Sequence, residues 1–189
     1  MKILLGMSGG IDSSMSALIL QQQGYEVIGI SFRFLENDQP LQDAVRIAEK
    51  LKIQHVVLDA RELFQEKVIR YFTSEYLAGR TPFPCAQCNN ELKWRLIFEQ
   101  AEQYGCLKVA MGHYVKIVEE NGRYFISEGK DKEKDQSFFL WGLRQEQLKN
   151  IVFPLGDYLK SEIKSEAAKH DFMALKEKKR KYGGLFLQR

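Results

Sequence analysis

An apolar run, Ile3-Leu4-Leu5-Gly6-Met7, leads directly into Ser8-Gly9-Gly10-Ile11-Asp12-Ser13-Ser14. Apolar residues bounded by a glycine pair predict a first strand, Lys2–Met7, that turns sharply into a helix over Ser13–Gln23. Gly24 supplies the stop that helix C-termini prefer. A strand, a tight loop and a helix in that order open a parallel sheet.

The pattern repeats down the chain. Val27–Phe34 reads as a second strand. Leu41, Ala44, Val45, Ala48 and Leu51 recur at helical spacing, and His55–Leu58 reads as a third strand. Helices are expected over Arg61–Leu77 and Asn89–Tyr104, then a strand over Lys108–Met111. Such alternation predicts an α/β fold, a doubly wound and mostly parallel Rossmann-like sheet with helices on both faces. Tyr114–Val118 and Arg123–Ser127 flank Asn121-Gly122, a strong hairpin signal, so a small hairpin insertion is expected. Short helical or extended pieces follow at Ser137–Gly142 and Gln145–Asn150, then an amphipathic helix over Leu159–His170. No repeat is visible, and residues 1–189 read as one domain.

In sheets of this kind ligands bind beyond the carboxyl ends of the strands. Ser8–Ser14, Phe32-Arg33 and Gly112-His113 all fall at such ends. Gly9 and Gly10 let the backbone approach a ligand. The amides that open the following helix form an anion site, with Ser8, Ser13 and Ser14 adding hydroxyls. The loop has no lysine and matches neither the Walker pattern nor GxGxxG. A plain strand–helix turn capped by Asp or Ser is the competing reading.

The stretch SGGIDSS closely resembles the pyrophosphate loop of the ATP pyrophosphatase superfamily. Other stretches resemble one branch of it, the bacterial tRNA 2-thiouridylases. These are AGRTPFPCAQCNNELKW (Ala78–Trp94), MGHY (Met111–Tyr114) and GKDKEKDQSFFLWGL (Gly129–Leu143). The resemblance implies an adenine nucleotide alpha hydrolase type of fold and an ATP site at Gly6, Met7, Ser8, Gly9, Gly10, Asp12, Ser13, Ser14, Phe32 and Gly112. Asp12 would act through an ATP-bound Mg²⁺ ion.

The implied reaction is sulfur transfer: ATP adenylates O2 of a tRNA wobble uridine, and a cysteine persulfide displaces AMP. By position Cys88 matches the persulfide-bearing cysteine, at the start of a predicted helix whose dipole favours a thiolate. Lys130, Lys134, Asp135 and Gln136 would line the RNA entry. The implied partners are tRNA and a sulfur carrier protein or cysteine desulfurase relay.

Three departures bear on this. Cys85 stands where the family often has aspartate, making a Cys85-Ala86-Gln87-Cys88 pair. That pair could form a disulfide, relay sulfur, or give two ligands to a zinc or iron–sulfur centre. Phe83 replaces an asparagine. Leu185, in Lys178–Phe186, falls where the family places a second catalytic cysteine, a role Cys85 could take over. The family also carries two further domains, so the expectation is a short form.

Two other readings are kept: a nucleotide-binding paralogue without full thiolation activity, and an adenylating, amidotransferase-like enzyme acting on a small acid. The bulk numbers fit any of these. Net charge is +3, but from Tyr158 to Arg189 nine Lys and Arg face four acids, a basic helix and tail suited to phosphate backbones. The three cysteines, Cys85, Cys88 and Cys106, make no disulfide framework, and no apolar stretch is long enough to span a membrane. The expected setting is the cytoplasm, with no membrane partner. Trp94, Trp141, Phe138 and Phe139 are expected in the core rather than as base-stacking platforms. His113 is read as either a ligand contact or a packing residue.

Overall fold

The computed structural model describes residues 1–36, 38–170 and 172. Five parallel strands form the sheet, in the order β3-β2-β1-β4-β7. They are β1 (Lys2–Gly6), β2 (Glu26–Arg33), β3 (Gln54–Asp59), β4 (Lys108–Ala110) and β7 (Ile151–Val152). The doubly wound expectation holds. The last strand is a piece the sequence left unassigned, because two residues carry no readable period.

β1 lies at the centre, with Leu5 beside Gly29 of β2 and Ala110 of β4. Its side chains alternate between two cores. Ile3 and Leu5 pack with Met15, Leu20 and Phe172 on one face, and Leu4 packs with Trp94, Ile97 and Val109 on the other. Burial on both faces explains why β1 reads as an unbroken apolar run.

Helices α1 (Ile11–Gln22) and α2 (Gln39–Leu51) follow the first two strands. The expected helix over 61–77 forms as α3 (Arg61–Phe64), a π-helical stretch (Gln65–Ile69) and α4 (Arg70–Leu77). The expected helix at Asn89 starts earlier. A short α5 (Pro84–Gln87) leads through a π-helical stretch (Cys88–Lys93) into α6 (Trp94–Gln103). Proline at the first helical position supplies that earlier start, since its missing N–H is one the helix leaves unused.

The hairpin forms as β5 (Val115–Glu120) and β6 (Arg123–Glu128), turning at Asn121 and Gly122, both at positive φ. Two 3₁₀ turns (Lys132–Lys134 and Ser137–Leu140), α7 (Gln145–Leu148) and α8 (Lys160–Lys169) complete the described chain. Leu185 and all of the basic tail except Phe172 beyond residue 170 lie outside the described residues. Among the described residues no helix is long and apolar enough to cross a membrane.

Candidate active site

The strand order reverses between β1 and β4, and a cavity of about 570 Å³ opens beyond the carboxyl ends there. That position and size suit a small-molecule site. The three strand-end features of the sequence meet in it: Gly6, Met7, Ser8, Asp12 and Ser13, then Phe32 and Arg33, then Gly112 and His113. Cys85 and Cys88 line the same cavity, with Asn89, Lys93 and Gln136.

Backbone geometry builds the loop. Gly9 sits at φ +67, and a Cβ there would lie 2.3 Å from the Pro40 carbonyl oxygen. Only glycine fits a left-handed turn pressed against α2. Gly10 caps α1 without a side-chain bond, so the first-turn amides of α1 are not capped by a side chain and can receive an anion.

Two of the three hydroxyls bond back to the loop. Ser14 is fully buried and donates to the Gly10 carbonyl at 3.0 Å, and Ser13 donates to the same oxygen at 3.0 Å. Ser8 keeps its side chain exposed at the mouth. Gly9, Gly10 and Ser14 therefore shape the loop from behind. Gly112 lets β4 close on α1: a Cβ there would sit 3.2 Å from the Asp12 carbonyl carbon and from Ser16 Oγ.

Asp12 is the charged centre of the loop. Its Oδ1 accepts from Tyr114 Oη at 2.9 Å and from Lys160 Nζ, which also lies over the Tyr114 ring. Burial, then the Asp12 charge, pushes the Tyr114 phenol up, so it stays a donor. Both contacts fall on one carboxylate oxygen. Lys160 is the lysine the loop lacks, supplied by the first turn of α8. Nothing local in Leu159–His170 marks it out from other helix lysines.

Cys88 departs from expectation. With the helix starting at Pro84, it lies a turn inside rather than at the end. Burial pushes its thiol up, and the Lys93 charge opposes this only in part. Cys85 is exposed in the first turn, one helical turn away on the cavity wall. Cys88 opens the π-helical stretch, and side chains from that stretch reach back to carbonyls of α5: Asn89 donates to the Cys85 carbonyl at 2.9 Å and Asn90 to that of Ala86 at 2.9 Å. Asn89 Oδ1 and His113 Nδ1 are buried without a partner among the described residues, in side chains that line the cavity. Buried polar groups of this kind take a partner from water or from a ligand. His113 stacks on Trp94, and burial, then Lys93, lowers its pKa to about 4.

The expected RNA-entry residues divide. Gln136 faces the cavity, its Oε1 accepting from the Tyr114 amide at 3.1 Å. Lys130 pairs with Glu162 at 2.8 Å, Asp135 accepts from Ser137 Oγ at 2.6 Å, and Lys134 is exposed. Among the described residues no three His, Cys, Asp or Glu side chains gather as a metal centre, so Cys85 and Cys88 have no third ligand there.

Residues 1–188 match the family described as tRNA methyl transferase HUP domain. The chain is 47% identical over 188 residues to tRNA-specific 2-thiouridylase MnmA 1 of Bacteroides fragilis, covering 98% of this chain and 52% of that protein. It is 42% identical to tRNA-specific 2-thiouridylase MnmA of Amoebophilus asiaticus, covering 98% and 53%. It thus spans about half the length of these relatives. In fold it resembles a 4-thiouridine synthetase solved with RNA and ATP, with TM-score 0.67 and 17% identity over 92% of this chain and 42% of that one. It also resembles an NH3-dependent NAD synthetase from Campylobacter jejuni, with TM-score 0.56 and 18% identity over 90% and 64%.

Proposed function

The chain belongs to the tRNA methyl transferase HUP-domain family, within the tRNA-specific 2-thiouridylases, and on that premise we propose that it uses ATP to replace O2 of a tRNA uridine with sulfur. One observation carries the reading. A single cavity is lined both by Gly6, Met7, Ser8, Asp12 and Ser13 of the phosphate-type loop and by the pair Cys85 and Cys88. Activation and sulfur delivery need such closeness, because an adenylated uridine left in water would hydrolyse.

The first-turn amides of α1 grip the triphosphate, with Lys160 drawn from Asp12 toward the phosphates. Asp12 would hold a Mg²⁺ ion together with the nucleotide, and such an ion would supply charge neutralisation for the departing pyrophosphate. O2 of the uridine attacks the α-phosphorus, and pyrophosphate leaves. The terminal sulfur of a Cys88 persulfide attacks C2, and the C2–O bond breaks to release AMP. The Cys85 thiolate then attacks the Cys88 sulfur. A Cys85–Cys88 disulfide forms, the sulfur–sulfur bond to the tRNA breaks, and 2-thiouridine is released. An external thiol reductant and a sulfur relay protein reset the pair. Gln136 stands where it can hydrogen-bond the edge of an inserted base.

The test is pyrophosphate release from ATP. Unmodified tRNA is expected to stimulate it and small carboxylic acids to leave it at background. Stimulation by acids alone would assign the cavity to a different adenylating reaction.

A further inference from the structure

The rings expected in the core are not all there. Trp94 is 1% exposed, but Phe138 is 65% and Trp141 71% exposed. They are three residues apart, Phe138 in the 3₁₀ turn Ser137–Leu140 and Trp141 directly after it, the spacing that 3₁₀ geometry places along one side. Phe83, 42% exposed, packs against Phe138 at 5.5 Å and Phe139 at 5.7 Å. Asn90 fixes this segment to the helix of Cys88. Its Nδ2 donates to the Phe139 carbonyl at 3.2 Å and its Oδ1 accepts from the Gly142 amide at 2.9 Å. Pro84 and Phe139, the chain neighbours of Phe83 and Phe138, line the cavity, and Phe83 stacks on Phe139. The aromatic surface therefore starts where the cavity wall ends.

We propose that Phe138 and Trp141, with Phe83 beside them, form a stacking surface for the unpaired RNA bases next to the nucleotide that enters the cavity. This rests on the thiolation reading and names how its RNA is held. An exposed aromatic patch fixed at the rim of a site is an interface feature rather than ordinary surface. A nucleotide inserted in the cavity brings its strand neighbours to that rim, and flat rings hold unpaired bases of any sequence by stacking.

The chain's two tryptophans make the test direct, because only Trp141 is open to a ligand. An unmodified anticodon stem-loop RNA and a fully paired duplex of equal phosphate number are titrated into the full chain with MgATP. The stem-loop is expected to quench tryptophan emission, the duplex to leave it unchanged, and Trp141→Phe to remove the quench while still binding. Phe138→Ala and, separately, Phe83→Ala are expected to weaken stem-loop binding about tenfold, the scale of one stacked base, with unchanged melting temperature and MgATP affinity. Stem-loop binding by gel shift with no quench and no loss in either variant would overturn the stacking surface and leave the thiolation reading standing. Quenching by a sulfur carrier protein and not by RNA would also overturn it. Absence of stem-loop binding together with absence of tRNA-stimulated pyrophosphate release would overturn both.

Discussion

Lys160 rests its ammonium on the carboxylate of Asp12, 148 residues earlier in the chain. The contact ties α8 to the loop at the head of α1. It also places a cation beside a loop that has none of its own. Lys160→Met is expected to weaken binding of MgATP by roughly tenfold to a hundredfold, the scale of a lost charge-assisted hydrogen bond. Isothermal calorimetry with a non-hydrolysable analogue measures this. Unchanged affinity would mean that Lys160 only holds α8 in place.

Gly9→Ala forces a Cβ into the Pro40 carbonyl at a left-handed backbone position. The loop and the N-terminus of α2 must part to admit it. We expect a stability loss of more than about 2 kcal/mol in urea unfolding, together with loss of nucleotide binding.

The two cysteines are expected to react in opposite order to their roles. Cys85 is exposed and Cys88 buried with a raised pKa. Iodoacetamide at neutral pH should label Cys85 first. Labelling of Cys88 should rise only as pH passes the ordinary thiol range, because its thiolate is disfavoured below that. Peptide mass spectrometry after timed quenching resolves the two sites. Fast labelling of Cys88 at neutral pH would contradict its burial.

His113 gives the acid limb of stability. Its folded pKa of about 4 lies below the ordinary 6.5, so the fold holds it neutral. The associated stability is fully present above pH 6.5 and is lost as pH falls toward 4. At most about 3 kcal/mol is involved, from 1.36 kcal/mol per unit. His113→Gln should flatten urea-unfolding stability between pH 7 and 4.5 relative to the parent chain.

The sheet was legible because its strands carry long apolar runs buried on both faces, as Ile3–Leu5 and Val27–Ile30 show. The loop was legible because glycines and serines at a strand–helix junction have few structural uses. The helix start at Pro84 was hidden behind the apolar period that begins only at Leu92. Lys160 and Tyr114 were hidden because their meeting with Asp12 is a tertiary event. Phe138 and Trp141 look like core residues by composition, but they lie in and directly after a 3₁₀ turn that leaves both exposed.

Sulfur transfer in a single turnover tests the account most directly. The chain is loaded with ³⁵S persulfide, freed of donor, and mixed with ATP and unmodified tRNA. We predict one AMP and one pyrophosphate per labelled sulfur found as 2-thiouridine, with Cys88→Ser still releasing pyrophosphate but moving no sulfur. Label that stays on the protein, or transfer that persists in Cys88→Ser, would contradict the placement of both chemistries in this cavity.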